Sequence, residues 1–385
     1  MLMNRASLRD PIFPPSVLLA AGGTGGHIYP AIALAEAIGE MSPKTQIRYV
    51  CGNRPSEIEI YRTRGIGPIV LPISGHRRGL GHQSRFLLEM VRAYRTVSAA
   101  IRELDIDLAV GFGSYASVPA LMAASRAGAR VVLHEQNAAP GLANRLLARR
   151  ADLVLTGIPT LPGAFPPAKV ERVGNPVRRE LLAEIPPKLA RRELGLPESG
   201  RVCLCFGGSL GAARLNAILE AAIEKTDSER WHFLWASGPA HFEALQATLR
   251  RNPALAERAK LLPYIERMDV AYAAADLVIC RAGAITLAEL TALGKPSILV
   301  PLPTAAGGHQ LANARVLESA GAAMVVEEGD SSSVEKIFTA LSKFATECDT
   351  LAEMAEAARK LGFPQAARRM AQAIGQLWAE KPAKH

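Results

Sequence analysis

Two glycine-rich turns constrain this chain more than any other feature. Ser16–Ala21 is a short apolar run that ends in Gly22-Gly23-Thr24-Gly25-Gly26, and Arg201–Phe206 ends in Gly207-Gly208-Ser209-Leu210-Gly211. Each half therefore opens with G-G-[ST]-x-G between a strand-like run and a helix-like stretch. A strand, a glycine turn and a helix in that order open a Rossmann-like unit, with the turn at the carboxyl edge of a parallel sheet.

The rest of each half keeps the alternation. Strand patterns at Gln46–Cys51, Ile69–Ile73, Asp107–Gly113, Val131–Gln136 and Asp152–Gly157 alternate with helical periods at Pro30–Met41, Gln83–Glu103, Ser117–Ala127 and Gly141–Arg149. The second half repeats the scheme through a helix at Gly211–Lys225, strands at His232–Ser237 and Asp276–Cys280, a helix at Ile285–Leu293 and a strand at Pro296–Val300. Runs buried on both faces are what a parallel sheet covered by helices requires. A length of 385 residues is enough for two cores. We therefore expect an α/β chain of two facing Rossmann-like domains with a cleft between them. The expected divisions are an extension at 1–15, a first domain at 16–178 and a second at 179–363, with the C-terminal helix 364–380 returning to the first.

Charge separates the halves. Residues 1–178 hold 21 Lys and Arg against 12 Asp and Glu, whereas the remainder holds 24 against 24, so the whole formal charge of +9 lies in the first half. Such asymmetry points to an anionic partner of that half. An anionic membrane surface and nucleic acid both satisfy it, but no basic–aromatic interleaving supports nucleic acid, which is not expected as a partner. The stretch Gly75–Arg102 sets Arg77, Arg78, Arg85, Arg92 and Arg95 among Leu80, Phe86, Leu87, Leu88 and Met90, a pattern suited to shallow insertion beside a basic rim. No run is long enough for a membrane span and the first fifteen residues lack a secretory apolar region, so a chain that stays inside the cell is expected. Cys51, Cys203, Cys205, Cys280 and Cys348 are odd in number and form no C-x-x-C, so reduced, buried thiols are expected.

The turns suit phosphate or carboxylate, because a helix start offers free amides and the positive end of the helix dipole. Neither matches G-x-G-x-x-G or G-x-x-x-x-G-K-[ST], so dinucleotide and P-loop readings lose their fingerprints. His27 follows the first turn and is placed to act as a general base or as a structural residue of the helix start. His134-Glu135-Gln136-Asn137 ends a strongly apolar strand at the same edge. In the second half, Arg281-Ala282-Gly283-Ala284-Ile285-Thr286-Leu287-Ala288-Glu289 is again strand, small-residue turn and helix. Glu289 there reads either as acceptor for a ribose diol or as a helix charge partner. His309, Gln310 and Asn313 add polar groups suited to sugar hydroxyls.

Six segments carry a resemblance when taken in order: A-G-G-T-G-G-H at 21–27, G-S-Y-A-S at 113–117, H-E-Q-N at 134–137, G-N-P-V-R at 174–178, G-G-S-L-G-A at 207–212 and R-A-G-A-I-T-L-A-E-L at 281–290. The sequence resembles the MurG family of peptidoglycan glycosyltransferases, in glycosyltransferase family 28. The resemblance implies a GT-B fold and an inverting transfer of N-acetylglucosamine from UDP-N-acetylglucosamine to the muramoyl 4-hydroxyl of a lipid-linked acceptor, lipid I. It implies a peripheral position on the cytoplasmic face of the inner membrane, with UDP-N-acetylglucosamine, lipid I and the anionic surface as partners. By the same resemblance, Ser209 and the Ala284-Ile285-Thr286 turn meet the diphosphate, and Leu287 and Ala288 lead to Glu289 on the ribose. The backbone at Ile265 meets the uracil, and Thr24, Gly25, Gly26, Asn137, Arg178 and Gln310 complete the donor pocket. Tyr115 and Asn144 fall on the acceptor side. Ala306-Gly307-Gly308-His309 departs from the more polar run usual before the family's glutamine.

His27 is the first choice for base, with Glu135 and His134 as alternatives. The chain is read as lacking a D-x-D, so no cofactor and no obligatory metal are expected. A UDP-N-acetylglucosamine 2-epimerase-like enzyme, or a nucleotide-sugar binder without turnover, would share the architecture.

Overall fold

A computed structural model describes residues 13–74, 80–166, 169–208, 211–226 and 230–380. The chain divides into two compact units, one running to Pro176 and resuming at Gln365, the other spanning Val177–Pro364.

The first unit alternates β1 (Ser16–Ala20), α1 (Gly25–Met41), β2 (Gln46–Cys51), α2 (Pro55–Arg62), β3 (Ile69–Val70), α3 (Leu80–Glu103), β4 (Leu108–Gly111), α4 (Ser117–Arg126), β5 (Arg130–Glu135), α5 (Leu142–Leu147), β6 (Leu153–Thr156) and β7 (Val170–Arg172). The second unit holds α6 (Pro187–Glu193), β8 (Arg201–Phe206), α7 (Ala213–Lys225), β9 (Trp231–Ala236), α8 (Pro239–Arg251), α9 (Pro253–Ala256), β10 (Ala259–Leu262), α10 (Met268–Ala274), β11 (Leu277–Cys280), α11 (Ala284–Leu293), β12 (Ser297–Leu299), α12 (His309–Ser319), β13 (Ala323–Val325), α13 (Ser333–Thr346) and α14 (Cys348–Leu361). The last helix, α15 (Ala366–Ala379), returns to the first unit and packs on α1.

Both sheets are wholly parallel, in the orders β3-β2-β1-β4-β5-β6-β7 and β10-β9-β8-β11-β12-β13. Helices cover both faces of each. In β1, Val17 and Leu19 pack with Met370 and Ile374 of α15, while Leu18 and Ala20 pack with Ala93 and Val97 of α3. In β8, Val202 and Leu204 face one cluster and Cys203 and Cys205 the other. Alternating contacts on both faces explain why these strands read as continuous apolar runs. Cys51, Cys203, Cys205 and Cys280 are buried free thiols.

Strand order locates the sites. β1 lies between β2 and β4, and β8 between β9 and β11, so the chain reverses its winding direction at each of these central strands. Loops leaving the carboxyl ends there open a crevice at the topological switch point. The loops in question are Ala21–Thr24 and Phe112–Ala116 in the first unit, and Gly207–Ala212 and Arg281–Gly283 in the second.

Besides helices such as α2, α8 and α10, which are not named in the sequence reading, the structure differs from it at three places. Helix α1 begins at Gly25 rather than Pro30, so the last two glycines are its first turn and Pro30 sits inside it. Three short strands, β7, β10 and β13, had no signal, since each has three or four residues and partly buried positions. A D-x-D triplet does occur, Asp105-Ile106-Asp107. It stands before β4 at the amino edge of the sheet, where Asp107 accepts from the Ser16 amide at 3.1 Å, away from the glycine turns. No described helix is long and apolar enough to cross a membrane.

Candidate functional site

In the first unit the turn after β1 is held from behind. Glu57, 1% exposed, accepts from the Gly52 amide at 2.9 Å and from the Tyr115 hydroxyl. A Cβ on Gly22 would lie 2.5 Å from Glu57 Oε2, so only glycine passes this carboxylate. The Arg54 guanidinium stacks over the Tyr115 ring at 5.2 Å and donates to the Ser74 carbonyl at 2.6 Å. Burial first, then the Glu57 hydrogen bond and charge, push the Tyr115 hydroxyl far above its usual range, so it stays a donor. Neither Glu57 nor Arg54 carried a sequence signal, because their roles exist only once α2 is folded against β1.

Thr24 is the extended N-cap of α1, and its Oγ1 lies 3.4 Å from His27 Nδ1. First-turn amides, here those of Gly25 and Gly26, have no carbonyl behind them in the helix. His27 is half-buried beside them.

The H-E-Q-N cluster is a framework. His134 is fully buried, with Nε2 facing the Gly174 carbonyl at 3.3 Å and Nδ1 receiving the Gln136 amide at 3.1 Å. That pairing selects the neutral ring protonated at Nε2. Burial pushes its pKa down to about 4, with the His27 ring adding to the shift against the Gly174 carbonyl. Glu135, 1% exposed, accepts four N–H groups: Asn137 N at 3.0 Å and Nδ2 at 3.2 Å on Oε1, Gly141 N at 3.0 Å and Asn144 Nδ2 at 2.9 Å on Oε2. A carboxylate offers about four acceptor positions, so none remains for a proton in flight. Asn144 also donates to the His134 carbonyl at 3.1 Å, and its buried Oδ1 has no partner among the described residues. Asn137 is half-buried at the rim. Among the three histidine and glutamate candidates, only His27 presents its side chain to solvent.

In the second unit, Ser209 lies outside the described residues. The flanking glycines Gly207 and Gly208 line a cavity of about 410 Å³ with Arg281, Thr286, Gln310 and Glu328. Arg281 is 9% exposed and donates to the Val300 carbonyl at 3.0 Å, to Pro301 and to Glu328, itself 7% exposed. It thereby ties the ends of β11 and β12 to the segment after β13. Gln310 Oε1 accepts the Leu302 amide at 2.9 Å, fixing the start of α12. The Gly283 N-cap is extended and α11 begins at Ala284, so the amides of Ala284, Ile285 and Thr286 face this edge. Leu287 and Ala288 are buried in the core, as is Ile265 at 5% exposure, leaving only their backbones for a ligand.

Glu289, 7% exposed, sits apart from that cavity's lining. Its Oε1 is 3.4 Å from Arg178 Nη2 and its Oε2 accepts the buried Tyr272 hydroxyl at 2.9 Å. Burial raises its pKa, while Arg178 and Tyr272 oppose the rise. Tyr272 is the partner that the sequence reading missed; its signal is only an apolar helix position in α10.

A third surface belongs to α3, α4 and α5, which pack in series. Leu87, Leu88 and Val91 of α3, Met122 of α4 and Leu142 and Leu146 of α5 are exposed, with Leu142 at 70%. Exposed Arg92, Arg95, Arg126, Arg145, Arg149 and Arg150 lie on the same three helices or directly after them, and Arg85 pairs with Glu89 at 3.0 Å. Phe86 and Met90 instead pack toward the core. Arg77 and Arg78 lie outside the described residues. Helix α5 lies outside the Gly75–Arg102 stretch in which the surface was expected.

The sequence matches known families on both units. Residues 17–156 match the glycosyltransferase family 28 N-terminal domain and residues 202–370 the family 28 C-terminal domain. A protein of Mycolicibacterium paratuberculosis, named UDP-N-acetylglucosamine--N-acetylmuramyl-(pentapeptide) pyrophosphoryl-undecaprenol N-acetylglucosamine transferase, is 39% identical over 94% of this chain and 89% of its own length. A protein of the same name from Bacillus cytotoxicus is 34% identical over 94% of this chain and 99% of its own. The crystal structure of MurG from Acinetobacter baumannii superposes with a TM-score of 0.74 at 28% identity, covering 94% of this chain and all of that one. A UDP-N-acetylglucosamine 2-epimerase structure from Listeria monocytogenes, at TM-score 0.67 and 17% identity, shares the fold. Matched on both of its sheets and along nearly its whole length, the chain belongs to glycosyltransferase family 28.

Proposed function

We propose that this chain transfers N-acetylglucosamine from UDP-N-acetylglucosamine to the muramoyl 4-hydroxyl of undecaprenyl-pyrophosphoryl-N-acetylmuramoyl-pentapeptide, with inversion at the anomeric carbon. The observation that carries the proposal is the pairing of glycine turns at both switch points in a chain whose relatives of that name align over nine-tenths of its length. The second unit holds the donor. Amides at the start of α11 and the Gly207–Gly208 turn take the diphosphate, and Glu289 with Arg178 takes the ribose. The backbone around Ile265 takes the uracil, and Gln310 the sugar.

The first unit supplies the base and the acceptor contacts. His27 accepts the proton of the 4-hydroxyl as the oxygen bonds to the anomeric carbon, while the bond from that carbon to the phosphate oxygen breaks and UDP leaves with the electron pair. Helix-start amides and buried cations, already oriented, stabilise the leaving charge without reorganising. Glu57, Tyr115 and Glu135 hold the two loops in place, with Asn144 buried behind Glu135 and Asn137 on the rim. No residue here is assigned to an obligatory metal. The exposed leucines of α3 and α5 with their arginines dock the enzyme on an anionic bilayer, where each basic residue contributes about 1 kcal/mol. Location at the cytoplasmic face follows from that docking and the lipid acceptor.

Incubating labelled UDP-N-acetylglucosamine with a lipid I analogue tests the proposal. UDP and a disaccharide lipid are expected, with no change in the sugar nucleotide when the acceptor is withheld. Epimerised sugar nucleotide, or binding without turnover, would overturn it.

A further inference from the structure

The second unit carries a cavity at the other edge of its sheet. About 410 Å³ in volume, it lies where β8, β11 and β12 begin, between the ends of α10 and α11 and the face of α14. Arg201, Lys295 and Arg359 line it, with Asp276 as the lining carboxylate and Leu293, Pro296 and Leu351 as an apolar wall.

The charges do not cancel. Asp276 Oδ2 is taken by Arg191 at 2.7 Å and by the Val202 amide at 2.7 Å, so Arg191 neutralises it. Glu356, nearby on α14, is engaged by Lys360 at 2.7 Å. Two helices, α10 and α11, end here, and each carboxyl end carries about half a negative charge. Against these, Lys295 and Arg359 alone leave roughly one positive charge in excess.

Their donors are also in excess. Lys295 Nζ donates to the Ala275 carbonyl at 2.8 Å and makes no other hydrogen bond among the described residues. An ammonium has three N–H groups, so two lack a protein acceptor. Arg359 makes no side-chain hydrogen bond among the described residues, yet it is placed. Gly294, left-handed at φ 62° as the C-cap of α11, lets the Arg359 stem lie on it, since a Cβ there would fall 2.5 Å from Arg359 Cγ. Burial lowers the Lys295 pKa to about 8, with Arg191 and Arg359 lowering it further against Asp276. An incoming anion would relieve that cost.

We propose that this cavity binds a small phosphate-bearing anion, at a second site on the sheet edge opposite the donor turns. Phosphate oxygens accept from Lys295 and Arg359 in charge-assisted hydrogen bonds, and an organic substituent lies on the Leu293–Pro296–Leu351 wall.

The test titrates the full chain calorimetrically with inorganic phosphate and with phenyl phosphate, at constant ionic strength and with UDP saturating the donor site. Binding of at least one probe, with Kd below about 1 mM, is expected. Lys295→Met and Arg359→Gln should each weaken it about tenfold, the loss of about 1.4 kcal/mol, and leave UDP affinity unchanged. Arg359 is exposed, so its variant decides alone if Lys295→Met fails to fold. No binding by either probe, or binding undiminished in both variants, overturns the proposal. Should UDP itself not bind, the donor reading fails, and the same titration without UDP still decides this one.

Discussion

Arg178 and Tyr272 grip opposite oxygens of Glu289, the first at 3.4 Å and the second at 2.9 Å, so the carboxylate is aimed before any ligand arrives. Glu289→Ala should weaken UDP-sugar binding by about 1–3 kcal/mol, the range for losing a hydrogen bond to a charged group. Calorimetry checks this; unchanged donor affinity would return Glu289 to a purely structural role.

Glu289 also makes a pH prediction. Its pKa is raised in the folded protein, so the folded state binds this proton more readily than the unfolded chain does. The associated stability is complete below the unfolded value near 4.5 and is lost as pH rises through the folded value. At neutral pH the ionised group therefore costs stability. Glu289→Gln should raise the Tm of the ligand-free protein at pH 7, lose that advantage below about pH 4.5, and bind donor less tightly. Equal Tm differences at both pH values would contradict the linkage.

His134 works with the opposite sign. Its pKa falls from 6.5 to about 4, so the unfolded chain takes up the proton first as the solution is acidified. Stability present above about pH 6.5 is lost as pH falls toward about 4, by up to about 3 kcal/mol for a fully buried ring. His134→Gln should be less stable at pH 7 but show a shallower decline between pH 6.5 and 4 in urea titrations. A parallel decline in the two proteins would mean that another group governs the acid limb.

Glu135 and His27 separate support from chemistry. Glu135→Gln places an N–H₂ among four N–H donors, leaving buried donors unpaired at about 1–3 kcal/mol each. The variant should unfold at lower urea concentration, while its folded fraction retains most of its turnover. His27→Ala should instead keep stability and donor affinity and lose about 10²–10⁴-fold in turnover. A reversal of the two outcomes would make Glu135 the base.

Much of this was legible in sequence because the signals are local. A strand, a glycine turn and a helix within about ten residues announce a switch-point loop, and Gly22–Gly26 and Arg281–Ala284 both fall there. What the sequence left hidden is what distant residues do to one another. Glu57 lies 58 residues from Tyr115, and Tyr272 lies 17 from Glu289 on a different helix. H-E-Q-N illustrates the converse. Four polar residues at a strand end look like chemistry, yet His134 and Glu135 have every hydrogen-bonding position occupied by loop amides and carbonyls.

The proposed docking surface is where sequence and structure differ most usefully. Within α3, Phe86 and Met90 turn inward and Leu87, Leu88 and Val91 outward, so the proposed insertion face is narrower than the run of apolar residues suggested. Leu142 and Leu146 of α5 widen it, 70% and 58% exposed although neither is needed by the core. Leaving large apolar side chains in water at a single patch marks an interaction surface. Burying one leucine in the acyl boundary contributes about 1.5–3 kcal/mol, more than one juxtamembrane arginine at about 1 kcal/mol. The leucines should therefore set affinity and the arginines its salt dependence. Leu142→Glu with Leu146→Glu should abolish sedimentation with anionic liposomes even at low salt and spare UDP-N-acetylglucosamine binding. Reversing Arg85, Arg92 and Arg95 to Glu should abolish it at physiological salt. If the leucine pair can be changed without effect while the arginine triple cannot, docking is electrostatic and the exposed leucines await a different partner.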